Sequence, residues 1–217
     1  MDLYLIRHGE SILDTRESFR LKIPEHKVYL TDNGVKQCHE AGIFLRSYLE
    51  EKKVDMVDSV AWVSPFLVSR QSFDVINDYL DISDVSEDYS LVDQRLGLFG
   101  NISPQRNKML FKDEFELYEN YYKNDGEFYA KMPQGDSPMD VAIRTRQFLN
   151  MIFLEKKSPV FVLSHDVTIR TIVMNMFNHS PEWFNYEENM DNCSIRFVNT
   201  DSMEDSYIYG GKVKRLL

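Results

Sequence analysis

A chain of 217 residues is long enough for a substantial core and fits one large domain, or a domain carrying an insertion. Its 35 acidic and 25 basic residues leave a formal charge of −10, which argues against nonspecific nucleic-acid binding and against an anionic membrane surface; a phosphate site here must be a local basic pocket. Cys38 and Cys193 make neither a disulfide framework nor a metal-ligand spacing and suit a reducing, cytoplasmic setting; no secretory segment precedes the first strand, and no apolar stretch approaches the roughly 20 residues that span a bilayer.

Taken in chain order, Leu3 to Ile6 reads as a strand, followed at once by Arg7-His8-Gly9-Glu10. Glycine lets the backbone approach a ligand closely, and ligands gather at the ends of parallel strands in open α/β sheets. An arginine beside a histidine at that place suits phosphate chemistry: the guanidinium binds phosphate through paired hydrogen bonds, and a neutral imidazole nitrogen can attack phosphorus. The tetrapeptide alone is a weak signal, and its alternative is a strand end making ordinary surface contacts.

From Thr31 to Glu50, Val35, Cys38, Ala41, Leu45 and Leu49 recur at helical spacing behind a Thr31 N-cap. Ser59 to Val63 is the next strand. Residues 101–135 break the alternation with Phe111, Phe115, Tyr118 and Tyr122 at helical steps, read as a helical insertion over the ligand end of the sheet whose aromatic stripe packs it down. Ser137-Pro138-Met139-Asp140 is a capping box with proline at the first helical position, and Val141, Phe148, Leu149 and Ile152 are the buried stripe of that helix. Val160 to Ser164 reads as a strand whose run Val160-Phe161-Val162-Leu163 is fully apolar, and Ser164-His165-Asp166 ends it as Arg7-His8 ends the first. A helix over Val167 to Phe177 stops at Asn178 and Pro181; strands follow at Ser194 to Val198 and Tyr207 to Tyr209. Strands alternating with helices define an α/β fold, a three-layer α/β/α sandwich around a mostly parallel sheet, in one domain spanning 1–217.

At these residues the chain resembles the histidine phosphatase superfamily, the phosphoglycerate-mutase-like fold, in a branch-one-like form with a diverged site. The motifs are Leu5-Ile6-Arg7-His8-Gly9-Glu10-Ser11, Leu30-Thr31-Asp32-Asn33-Gly34, Val63-Ser64-Pro65 through Gln71-Ser72, Gly135-Asp136-Ser137 with Arg144 and Arg146, Leu163-Ser164-His165 with Ile169-Arg170, and Asn192-Cys193-Ser194-Ile195. The resemblance implies that His8 attacks phosphorus and carries a phosphohistidine, that Arg7 and His165 bind the phosphoryl oxygens, and that water hydrolyses the intermediate. Glu10, Ser11, Asp14, Arg70 and Ser164 are the further substrate-binding candidates. His8 must then be neutral at its attacking nitrogen, with the other donating to a fixed acceptor such as a carbonyl, whereas a protonated His165 would be a phosphate-binding cation.

The chain departs from the family pattern at three places. The pocket arginine expected four residues after Ser64 is Val68, and Arg70 lies about 200° further round a helix, so its alternative is a surface role. The general acid is Asp93 or Asp166; a register anchored on Phe99-Gly100-Asn101 offers no carboxylate, and the alternative for Asp166 is an N-cap. Asp14 stands where many members have an asparagine, and a carboxylate donates nothing unless protonated. The expected function is a phosphomonoesterase acting on a small phosphorylated metabolite or nucleotide, without cofactor, nucleic-acid or membrane partner. The alternatives are a weakened relative that binds a phosphorylated ligand or a protein without turnover, a mutase, and, from ligand types alone, a metal site of His8, His165, Asp14 and Asp166.

Overall fold

The computed structural model describes residues 1–15, 23–100 and 103–213. Its six-stranded sheet has the order β3-β2-β4-β1-β6-β7. Strands β1 (Asp2–Arg7), β2 (Val60–Val63), β3 (Val85–Glu87) and β4 (Val160–Ser164) run parallel; β6 (Ile195–Asn199) is antiparallel to β1, and β7 (Glu204–Tyr209) antiparallel to β6. A two-stranded ribbon pairs β5 (Asn189–Met190) with β8 (Lys212–Val213). The sheet is therefore mixed, parallel through its centre and antiparallel at one edge.

Side-chain alternation divides the core into two layers. Tyr4 and Ile6 of β1, Ala61 and Val63 of β2, and Phe161 and Leu163 of β4 face α2 (Asp32–Lys52) and α3 (Leu67–Leu80). Leu3, Leu5, Val60, Trp62, Val160 and Val162 face α6 (Pro138–Glu155) and α7 (Asp166–Phe177). Because both faces are covered, these strands are apolar without interruption, as the runs at Leu3 to Ile6 and Val160 to Leu163 anticipate. The helix starts follow their caps. The Thr31 hydroxyl accepts from the Gly34 N–H at 2.9 Å, and Ser137 and Asp140 form both arms of a capping box.

The β5–β8 ribbon and the short helix after β1 lie outside the sequence expectation, and so do three further features. Strand β3 is a short, mostly exposed edge with no apolar run to announce it. Pro181, expected only to end a helix, opens α8 (Pro181–Tyr186) as its first residue. Strand β7 starts at Glu204, three residues before the predicted Tyr207. Residues 101 and 102, where the insertion begins, lie outside the described residues. Beyond them α4 (Pro104–Leu110) and α5 (Lys112–Asp125) follow, and Phe115 and Tyr118 of α5 pack their rings on Phe99 at 5.7 and 5.6 Å. A short α1 (Ile12–Thr15) follows β1. Among the described residues no helix is long and apolar enough to cross a membrane.

Candidate active site

Parallel pairing of β1 with β4 puts Arg7 in register with Ser164, so the residues that follow, His8 and His165, leave neighbouring strands at one edge. Their imidazoles meet edge to face, with ring centroids 4.9 Å apart. They share a cavity of about 180 Å³ with Arg7, Ser11, Asp14, Glu25, Phe66, Val68, Asp93, Gln94 and Leu96. The cavity opens at the carboxyl ends of the central strands, where an open α/β sheet binds its ligands.

The His8 Nδ1–H donates to the Gly9 carbonyl at 2.8 Å, and because a carbonyl only accepts, Nδ1 holds the proton and Nε2 keeps its lone pair. Burial pulls the His8 imidazole down to about 3, with His165 and Arg7 acting in the same direction. Gly9 is required by space: a Cβ there would stand 2.7 Å from the Gly34 carbonyl oxygen and 2.9 Å from the Cys38 sulfur. The Gly9 N–H donates to the Ser72 hydroxyl at 3.0 Å, and Ser72 donates to the Val68 carbonyl at 2.8 Å, which ties the turn carrying His8 to α3.

His165 is 2% exposed, and burial, then Arg7 and Arg144, lowers it to about 3. It is therefore neutral in the free cavity, so the condition under which it would be a phosphate-binding cation is not met there. Its Nε2 lies 2.9 Å from the Ser64 hydroxyl and 3.3 Å from that of Ser69, while Nδ1 is buried without a hydrogen-bond partner. Arg7 donates through Nη1 to the Met190 carbonyl, and its Nε is likewise buried and unpaired.

Of the two acid candidates, the fold brings Asp93 to the cavity and leaves Asp166 outside the lining. The Asp93 Oδ2 lies 3.8 Å from His165 Nδ1, and its Oδ1 accepts the Gln94 N–H at 2.8 Å. Loss of hydration raises the Asp93 carboxyl, opposed by His8, by the Gln94 N–H and by Arg7. Asp166 is not the N-cap of α7 either, a place held by His165. Its Oδ1 accepts the Met190 N–H at 2.6 Å and its Oδ2 faces Arg170 Nε at 3.2 Å, so it braces α7 against the strand that holds Arg7.

The remaining candidates divide in the same way. Ser11 and Asp14 line the cavity, but Asp14 Oδ2 is occupied by the Ser11 N–H and hydroxyl at 2.7 and 2.8 Å. Glu10 accepts from the Thr31 hydroxyl at 2.6 Å and from Asn33 at 3.2 Å, holding the start of α2. Ser164 is fully buried and donates to the Leu91 carbonyl at 2.7 Å. Arg70 points away from the cavity, half exposed and 3.9 Å from Glu87, while Val68 faces inward. The half-turn between them matches the helical geometry.

Sequence reading passed over Ser69 and the roles of Ser72 and Arg144. Arg144 donates to the carbonyls of Ser90, Val92 and Asp93 at 2.8, 2.7 and 2.9 Å, which fixes the segment carrying Asp93. Its place inside a quoted motif, facing inward on α6, was the available clue. Leu96 lines the cavity together with Asp93, and Asn101 of the alternative register lies outside the described residues.

Over residues 3–207 the sequence matches the family described as the histidine phosphatase superfamily, branch 1. It is 26% identical over 215 residues to phosphoglycerate mutase-like protein AT74 of Arabidopsis thaliana, an alignment covering 90% of this chain and 64% of that protein. With AT74H of the same plant it shares 23% identity, over 90% of this chain and 73% of the relative. The chain thus spans just under two thirds of the first of these. Among solved structures, the α-ribazole phosphatase of Shigella flexneri superposes with a TM-score of 0.75 at 14% identity, covering 98% of this chain and 96% of that one. A mycobacterial glucosyl-3-phosphoglycerate phosphatase superposes at 0.73 with 15% identity, covering 98% and 99%. With the paired strand-end histidines in one cavity and this match along nearly its whole length, the chain belongs to branch 1 of the histidine phosphatase superfamily.

Proposed function

We propose that the protein is a phosphomonoesterase that hydrolyses a small phosphorylated metabolite or nucleotide through a phosphohistidine on His8. The observation that carries this reading is the Nδ1–H hydrogen bond to Gly9, which leaves His8 Nε2 as a neutral nucleophile beside Arg7. In the proposed reaction Nε2 attacks phosphorus in line, the ester P–O bond breaks, and Asp93 delivers its proton to the departing oxygen. Arg7 and the unpaired Nδ1 of His165 hold the phosphoryl oxygens, with Ser64 donating to His165 Nε2 so that Nδ1 carries a proton toward the phosphate. Asp93, deprotonated by the first step, then takes a proton from the water that hydrolyses the phosphohistidine.

The family and the phosphatases that share its fold support this reading. The second reading, a protein that binds a phosphorylated ligand without turnover, is favoured by Val68, which lines the cavity where the family resemblance calls for an arginine. Incubation with an aryl phosphate separates the two. Turnover absent from His8→Ala, with an acid-labile phosphoryl adduct on the wild-type chain after rapid quenching, is the expected result. Equal background from both proteins overturns the enzyme reading.

A further inference from the structure

Beneath the turn that carries His8, two cysteines 155 residues apart in sequence face each other with their sulfurs 3.4 Å apart. Cys38 lies on α2 and Cys193 just before β6; both are buried, free thiols, and neither takes part in the chemistry proposed above. We propose that this dithiol is a covalent redox site, closing to an intramolecular disulfide under a hydroperoxide oxidant and displacing the His8 turn as it closes.

The geometry supports both halves. A disulfide needs its sulfurs near 2.05 Å, so they must approach by about 1.4 Å from their present separation. The backbone N–H of Cys193 donates to the His8 carbonyl at 3.2 Å, and a Cβ on Gly9 would lie only 2.9 Å from the Cys38 sulfur. Movement of either cysteine is therefore passed directly to His8 and Gly9. The Cys193 thiol, as donor, holds the Cys38 thiol below its ordinary value against the effect of burial. Access for a small oxidant comes through the turn ending at Cys193, whose backbone is left-handed at φ 56° although the residue is not glycine. Asp191 in that turn is exposed and Asn192 half-buried, so local opening of a few residues uncovers the pair.

In the reaction the Cys38 thiol gives up its proton and its sulfur attacks the outer peroxide oxygen; the O–O bond breaks, leaving a sulfenic acid on Cys38, and the proton goes to the departing oxygen, which leaves as water from hydrogen peroxide or as an alcohol from an organic hydroperoxide. The Cys193 sulfur then displaces the sulfenic oxygen as water, completing a two-electron oxidation, and a small thiol reverses it by exchange.

The test treats the full chain with hydrogen peroxide, titrates thiols after denaturation with an aromatic disulfide reagent, and measures intact mass. The expected result is a fall from two thiols to none with loss of two hydrogen atoms, reversed by dithiothreitol and absent from Cys38→Ser and Cys193→Ser. The imidazole signal of His8, identified by its absence in His8→Ala, should shift on oxidation and return on reduction. Two thiols persisting at doses that oxidise free glutathione, a disulfide between chains, or oxygen added without cross-linking would overturn the dithiol assignment. A disulfide that forms while the His8 signal stays in place overturns the coupling. Mass, thiol count and imidazole signal are read without turnover, so the outcome is independent of whether the phosphatase reading survives.

Discussion

Val68 puts an apolar side chain into the cavity of His8 and His165, at the place where the family resemblance calls for a guanidinium. A charge-assisted hydrogen bond contributes about 1.5–3 kcal/mol, so Val68→Arg should tighten orthovanadate or inorganic phosphate binding by about ten-fold or more, measured by inhibition of aryl phosphate turnover or by calorimetry. Unchanged affinity would mean that the new side chain does not reach the phosphoryl oxygens. Asp93 allows a second prediction. Its raised carboxyl is protonated at low pH and loses the proton as pH rises, so activity governed by it falls on the alkaline side. Asp93→Asn should remove that limb and slow poor leaving groups by about 10²-fold or more, while aryl phosphates with good leaving groups suffer less. Asp166→Asn, whose carboxylate is bonded to Met190 and Arg170, should lower stability without changing the leaving-group dependence.

At the scale of elements, the site depends on how closely α2 and α6 start against the strand ends. Gly34, in the first turn of α2, lies so close to the chain leaving β1 that an added Cβ would stand 2.1 Å from the Glu10 carbonyl oxygen. Gly34→Ala should therefore cost about 1–3 kcal/mol, read as a lowered denaturation midpoint, and should disturb His8 through the displaced Glu10. The α6 capping box is a separate case, since Ser137→Ala removes a side-chain acceptor at a helix start. The expected loss is about 1 kcal/mol, or about 2–4 °C in Tm for a domain of this size. These starts were readable in advance because caps and glycine-tight turns act within a few residues. Strand β3 was not: an exposed edge of three residues has no alternation to mark it.

For the whole molecule, the two buried histidines link folding to pH. Their native values near 3 lie below the ordinary 6.5, so the unfolded chain binds more protons between those limits. Stability from this source is complete above about pH 6.5 and declines as pH falls toward 3, by at most about 1.4 kcal/mol per pH unit for each histidine. Denaturant titrations between pH 4 and pH 7 should show this slope, and His165→Asn, if folded, should flatten it. Phosphate binding opposes the effect, because an anion beside His165 favours its protonated form.

The sequence by itself determined the apolar strands, the capped helices and the two strand-end histidines, since each rests on a periodicity or a local hydrogen bond that short segments carry. Only the tertiary structure decided that His8 and His165 share a cavity, through the parallel register of Arg7 with Ser164. It also placed the two carboxylates differently. Asp166 adjoins His165 in sequence, yet its carboxylate is held by Met190 and Arg170, whereas Asp93 reaches the cavity on a segment fastened by Arg144 of a distant helix. The meeting of Cys38 with Cys193 is a fact of the same kind. Contacts between residues far apart in the chain are set by packing and register, which no local pattern encodes.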